Sequence, residues 1–178
     1  MTPERPWSVT VRLDEVPESG RHVSLEASEE TRAALAGPAG VDAVERLTAT
    51  FDLTRRGRDG LHVAGRVNAT VRQTCVVSLD PMVSTVDEAV EVDFAPRRDD
   101  ATSHADEIEL DSSVDEEPEP LIGNSVDLGL LATEFLILGI DPYPRKPDAA
   151  FEAPASAEAA GKAFAALAAW SKKGTVKE

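Results

Sequence analysis

The sequence has few residues from which covalent or metal chemistry could be built. It contains one cysteine, Cys75, and three histidines in 178 residues. A single cysteine excludes an intramolecular disulfide and is typical of a reducing compartment. A tetrahedral zinc site would need the cysteine and two or three histidines, yet His22, His62 and His104 show no ligand spacing. We therefore predict no metal and no other cofactor.

Motifs of the common enzyme classes are also absent. The sequence has no Gly-rich phosphate loop, no nucleophile elbow and no HExxH motif, so we predict no catalytic residues. Cys75 is the nucleophile to consider, but Arg72 alternates onto the opposite face of the predicted strand. We interpret Cys75 as a half-buried structural residue, because free cysteines are commonly buried. A thiol-dependent enzyme centred on Cys75 stays an alternative.

Long hydrophobic runs are missing too. The longest apolar stretch, residues 128–140, is interrupted by Thr133 and Glu134 and is too short to span a bilayer. The first ten residues lack the apolar core of a secretory signal. These observations predict a cytoplasmic protein without membrane contacts. Because aromatic residues make up only 4% of the chain, we expect a core of valine, leucine and alanine.

Charge is what the sequence has in excess. Its 33 acidic and 18 basic side chains give a net charge of −15. Such a field opposes unaided binding to RNA or DNA; it either favours a basic protein as partner or only confers solubility. The run Asp115, Glu116 and Glu117 lacks the spacing and glycine of a calcium loop, so it is either a solvated surface or a contact for that partner.

Hydrophobic alternation predicts an antiparallel β meander. Residues 47–53 and 61–71 alternate with period two around a glycine-bearing loop at residues 55–60, which is typical of a hairpin. Shorter alternating runs at residues 7–13, 22–27 and 86–94 predict further strands. Ser28 is placed to cap a short N-terminal helix over residues 29–36, which Gly37 and Pro38 end.

Helical spacing in the second half completes an α+β fold. Leu128, Leu131, Phe135 and Leu138 share one side of a predicted helix that packs against the sheet, with Asp127 or Ser125 as its cap. We expect one domain over residues 1–150, including a partly mobile acidic loop at 97–124 that could hold a short strand at Ile108 and Leu110. An alanine-rich C-terminal helix or tail at 151–178 follows, and it could dock on this domain or on a partner.

Three prolines between residues 141 and 147 fix an extended path after this helix. We expect Tyr143, Arg145 and Lys146 to be displayed there. The segment is either a rigid exit from the helix or a preformed recognition strip, since ordering it on binding would cost little. For direct RNA binding, the alternative function, the candidates are Arg55, Arg56 and Arg58 in the hairpin loop, although no aromatic stacking motif accompanies them.

The order of four motifs identifies a family resemblance. They are TCVVSL at residues 74–79, DLGLLATE at 127–134, DPYPRKP at 141–147, and KAFAAL at 162–167 followed by Lys172 and Lys173. In this order they resemble the YceD family of large ribosomal RNA subunit accumulation proteins, in the form found in alphaproteobacteria. The positions that match the family motif are Cys75, Ser78, Asp127, Glu134, Asp141 and Pro142.

The resemblance implies a role in 23S rRNA accumulation and large-subunit biogenesis. Many relatives carry a second cysteine where this chain has Ser78, so no metal role of those thiols is carried over. We accordingly predict a noncatalytic factor that binds a basic ribosomal protein or a preribosomal particle, with indirect rRNA association. The expected contacts are Tyr143, Arg145, Lys146 and the acidic run Asp115, Glu116 and Glu117.

Overall fold

A computed structural model describes residues 6–96 and 118–151 of the chain. Within these residues the fold is α+β, as predicted, with more strand than helix. The strands are β1 (Thr10–Arg12), β2 (Arg21–Glu26), β3 (Ala43–Arg56), β4 (Gly60–Thr74), β5 (Pro81–Pro96), β6 (Glu119–Leu121) and β7 (Ser125–Asp127). The helices are α1 (Glu29–Ala36) and α2 (Leu128–Gly139), with a 3-10 turn at Leu13–Glu15.

The larger sheet has the order β2-β3-β4-β5-β6. The pairs β2–β3, β3–β4 and β4–β5 are antiparallel, and β6 pairs parallel with the end of β5. Period-two alternation places Leu47, Phe51 and Val67 on a buried face because successive side chains point to opposite sides. The predicted hairpin is β3–β4, but its loop is shorter than residues 55–60, since β3 ends at Arg56 and β4 begins at Gly60.

A second, two-stranded sheet joins the N-terminal segment to the residues directly before α2. Strand β1 pairs antiparallel with β7, with Thr10 opposite Asp127. The sequence predicted a strand over residues 7–13, which is wrong in length. Strand β7 has only three residues, so only Thr10–Arg12 find ladder partners. Trp7 is nevertheless buried in the core, as its apolar position indicated.

Both helices begin where side chains can cap them. Ser28 Oγ accepts a hydrogen bond from Thr31 N at 3.1 Å, and α1 has the predicted bounds. Helix α2 contacts β1, β4 and β5, and it buries Leu128, Ala132 and Leu136. Leu138 was predicted on that buried side, but it is 76% exposed. The buried stripe follows i, i+4 spacing from Leu128, which turns Leu138 outward.

Several predictions fall outside the described residues. They concern most of the acidic loop, the strand at Ile108 and Leu110, the run Asp115, Glu116 and Glu117, and the C-terminal helix. In the part of the chain that the structure describes, no helix has the length and apolar character needed to cross a bilayer.

Candidate partner-binding site

The Cys75 turn, residues 75–80, connects β4 to β5. The backbone closes it through a hydrogen bond from Leu79 N to the Cys75 carbonyl at 2.9 Å and another from Cys75 N to the Asp80 carbonyl at 2.8 Å. Leu79 adopts a left-handed conformation, with a φ of 60°, and is 76% exposed. A large apolar side chain is thus displayed at the tip of a tightly bonded turn.

The proline strip, residues 141–147, lies directly against the Cys75 turn. Gln73 Nε2 donates to the Asp141 carbonyl at 2.9 Å, and Val76 N donates to the Pro144 carbonyl at 2.9 Å. Lys146 contributes twice, because its backbone N donates to Cys75 Sγ at 3.4 Å and its Nζ lies 3.2 Å from Asp80 Oδ2. The fold therefore brings together two motifs that are about seventy residues apart in sequence.

The sulfur of Cys75 is held in a site that favours the thiolate. The residue has no solvent exposure, and Sγ accepts from Ser78 N at 3.5 Å as well as from Lys146 N. Ser78 Oγ is buried without a partner of hydrogen-bonding geometry, so its proton is free to turn toward the sulfur. The Ser78 hydroxyl and the backbone N–H groups of Ser78 and Lys146 lower the pKa of Cys75 to about 6, although burial opposes them.

The two histidines among the described residues lie away from Cys75. His22 and His62 bond to Asp52 and Asp93 on the other face of the sheet, since position 62 alternates with the buried positions of β4. The sulfur is also sealed from solvent. In this arrangement the buried Cys75 sulfur supports the contact between turn and strip.

The strip exposes only some of the side chains that its sequence suggested. Tyr143 is 70% exposed and Arg145 is exposed as well. Lys146, which was expected to be displayed, is half-buried because it pairs with Asp80. Pro144 is buried where Val76 N bonds to its carbonyl. The strip thus presents Tyr143 and Arg145 on a backbone that is hydrogen-bonded to β4 and the Cys75 turn at three points.

A cleft of about 450 Å³ opens between the strip, the Cys75 turn and the end of α2. Val76, Ile137 and Ile140 supply apolar parts of its wall, and Asp42 and Asp141 supply carboxylates. Gln73 also lines it; the residue is 5% exposed, and its Oε1 is a buried acceptor without a partner. We call this cleft the strip cleft.

Two further family-motif residues lie near a second cleft. Asp127 caps α2 through Gly129 N and Leu130 N, and its other bonds come from Ser8 Oγ and Val9 N. Burial acts to raise the pKa of Asp127, but these hydrogen bonds outweigh it and lower the pKa overall. Glu134 and Asp127 line this cleft beside Leu130, with a volume of about 590 Å³. Asp127 therefore has a structural role at the start of the helix.

The arginines considered for RNA binding do not act as one group. Arg55 donates from Nε to the Val16 carbonyl at 2.6 Å and from Nη2 to the Leu13 carbonyl at 2.8 Å. Arg56 Nε lies 3.7 Å from Asp93 Oδ1, and Arg58 is exposed in the hairpin turn. The Arg55 guanidinium is bonded to the 3-10 turn, so of these three arginines only Arg56 and Arg58 are exposed.

Sequence reasoning missed the contributions of Asp42, Gln73 and Asp80. One signal was available for Gln73, because it occupies a buried position in the alternation of β4 where an apolar residue is expected. Asp42 and Asp80 gave no such signal. Their role depends on the contact between two segments that are distant in sequence.

The comparisons with known proteins agree with the motif order. The family model described as "Large ribosomal RNA subunit accumulation protein YceD" matches residues 63–167, which is more than half of the chain. No curated protein matches the chain. No solved structure matches it either. The matched region contains the Cys75 turn, α2 and the proline strip, and the chain belongs to the YceD family of large ribosomal RNA subunit accumulation proteins.

Proposed function

We propose that this protein is a noncatalytic assembly factor of the large ribosomal subunit. It supports 23S rRNA accumulation by binding a basic ribosomal protein or a preribosomal particle. The family match over residues 63–167 is the observation that carries this proposal. The net charge of −15 supports a basic protein as the direct partner, because the field attracts cations and repels RNA phosphates.

The structure supports the proline strip as one contact of this partner. Tyr143 and Arg145 are exposed on a backbone whose hydrogen bonds already fix it. Aromatic and arginine side chains commonly anchor protein interfaces, and a preformed segment loses little entropy on binding. The acidic run Asp115, Glu116 and Glu117 is a second proposed contact.

The proposal predicts a selective loss of 23S rRNA when the protein is absent. The experiment compares the ratio of 23S to 16S rRNA in a strain that lacks the gene with the ratio in its parent. We expect a lower ratio that the full chain restores. Restoration by C75A would agree with a noncatalytic role, because that variant removes the thiol. An unchanged ratio in the deletion strain would contradict the proposal.

A binding control separates indirect from direct rRNA association. Purified protein is mixed with protein-free 23S rRNA at low salt, where phosphate contacts are strongest. We expect no complex with naked rRNA and co-sedimentation with preribosomal particles. Binding to naked rRNA that is lost in a variant combining Arg56→Gln with Arg58→Gln would instead favour direct recognition by the hairpin turn.

A further inference from the structure

The strip cleft has the lining of a site for a cationic side chain with an apolar stem. Val76 and Ile137 are 43% and 41% exposed, which leaves apolar surface at its opening. Asp42 and Asp141 add two carboxylates. None of the described residues that line the cleft is basic. Apolar walls beside carboxylates match lysine and arginine, whose methylene stems pack on apolar surface while the charged head meets an acceptor.

Both carboxylates retain the capacity to accept further hydrogen bonds. Asp42 Oδ2 accepts from Thr74 Oγ1 at 3.0 Å, and Asp141 Oδ1 accepts from Tyr143 N at 2.8 Å. Neither carboxylate forms an ion pair within the part of the chain that the structure describes. A carboxylate offers about four lone-pair sites, so each can still receive a cation.

Gln73 provides an independent indication of a hydrogen-bond donor at this cleft. Its amide orientation is fixed, because Nε2 donates to the Asp141 carbonyl and a flipped amide would oppose two oxygens. Oε1 is consequently left as a buried acceptor without a partner. A buried acceptor without a partner lowers stability unless a donor reaches it. Oε1 is shielded from solvent and belongs to a residue of the cleft wall.

We propose that the strip cleft binds a lysine or arginine side chain from a basic polypeptide segment of the partner protein. Its stem lies against Val76 and Ile137, and its charged head is shared by Asp42 and Asp141. Leu138 and Tyr143 are exposed and lie close in sequence to Asp141. Their side chains extend the contact to apolar residues of the same partner segment. The inference deepens the proposed function by naming the chemistry of its direct contact.

The test uses the full chain and two synthetic peptides of identical length and apolar content. One peptide carries arginines, and the other carries citrullines, which have nearly the same shape without the charge. Nuclear magnetic resonance follows the Gln73 side-chain amide and the methyl groups of Ile137 and Ile140. We expect the arginine peptide to shift these signals and the citrulline peptide to leave them in place.

Matched variants separate the cleft from the general charge of the molecule. D42N combined with D141N keeps an oxygen acceptor for Thr74 and for Tyr143 N, so the local hydrogen bonds can persist. We expect this double variant to bind the arginine peptide about tenfold more weakly. E18Q combined with E91Q removes the same charge from exposed positions outside the cleft and should change the affinity by less than about twofold.

Three results would overturn the inference. One is equal loss of affinity in both double variants, which would make the attraction a property of the whole charge. Another is saturation of the same signals by free ethylguanidinium with the affinity of the peptide, which would indicate a small-molecule site. The third is self-association of the protein that is lost in the D42N and D141N double variant, which would make the cleft a contact between copies of this chain. None of these outcomes involves rRNA levels, so the proposed function can survive them.

Discussion

At the scale of single residues, Cys75 combines complete burial with easy ionisation. Its sulfur accepts hydrogen bonds from the Ser78 and Lys146 backbone, and the pKa is lowered to about 6. The thiolate of the folded protein is therefore stabilised relative to that of the unfolded chain. A lowered folded-state pKa contributes stability above the unfolded pKa, and this contribution is lost as the pH falls through the folded value.

This linkage predicts a pH-dependent difference between the protein and its C75A variant. The free energy of unfolding, measured with urea, should exceed that of C75A by more at pH 9 than at pH 5. The difference in unfolding free energy should change over the pH range between the folded-state pKa of about 6 and the ordinary thiol pKa of 9.0. S78A should show a smaller pH dependence, because it lacks the hydroxyl beside the sulfur. A difference that is constant with pH would contradict a stabilised thiolate.

Single residues also show what sequence reasoning can find in a site. The strip was identified from its three prolines, and the Cys75 turn from its family motif. Their contact through Lys146 N and Cys75 Sγ was not predicted, because no local pattern encodes a bond across about seventy residues. The half-burial of Lys146 has the same origin, since its partner Asp80 belongs to the other segment.

At the scale of elements, α2 is positioned by close contacts at both of its ends. A Cβ added to Gly129 would lie 2.9 Å from the carbonyl carbon of Trp7 and 3.0 Å from Ser8 N. One added to Gly139 would lie 2.5 Å from side-chain carbons of Val86 and Glu88 on β5. Both glycines belong to α2 and not to a turn. Because these glycines have no side chain, the helix can approach the backbone of Trp7 and Ser8 before β1 and the side chains of β5.

These contacts predict an order of stability among three glycine variants. G129A should lower the free energy of unfolding by about 1–3 kcal/mol, because backbone atoms cannot move aside as easily as side chains. G139A should cost less, since its neighbours are side-chain atoms of Glu88 and Val86.

G37A is the control for this series, because nothing lies within 4 Å of its added Cβ. It should be neutral or stabilising by up to about 1 kcal/mol. Urea unfolding of the three variants measures the order. A G129A variant as stable as G37A would show that α2 does not depend on this close approach.

Elements with strong local signals were predictable, and those with nonlocal partners were not. Helix α1 has its predicted bounds because Ser28 caps it and Gly37 with Pro38 ends it. Strands β3 and β4 follow from their long period-two alternation. The pairing of β1 with β7 and the parallel addition of β6 to β5 connect distant segments. Neither the lengths of these strands nor their pairing partners could therefore be derived from a local pattern.

At the scale of the whole molecule, the charge of −15 acts over a longer range than any single contact. Fields of this kind steer oppositely charged partners and accelerate encounter, whereas close contacts determine how long a complex lasts. The two effects can be separated, because salt screens exposed charges over a Debye length of about 10 Å at about 0.1 M. Close contacts in the strip cleft are screened less.

Association with the arginine peptide should therefore respond to salt mainly through its rate of formation. Between about 0.05 M and about 0.5 M salt we expect the association rate constant to fall about tenfold or more, with a smaller change in dissociation. The two double variants, E18Q with E91Q and D42N with D141N, reduce the net charge equally. Both should therefore lower the association rate constant to a similar extent. Only D42N with D141N should accelerate dissociation, since only that variant changes the cleft. Stopped-flow fluorescence measures both rates. Faster dissociation in E18Q with E91Q would show that the bound state is maintained by the overall field and not by local contacts.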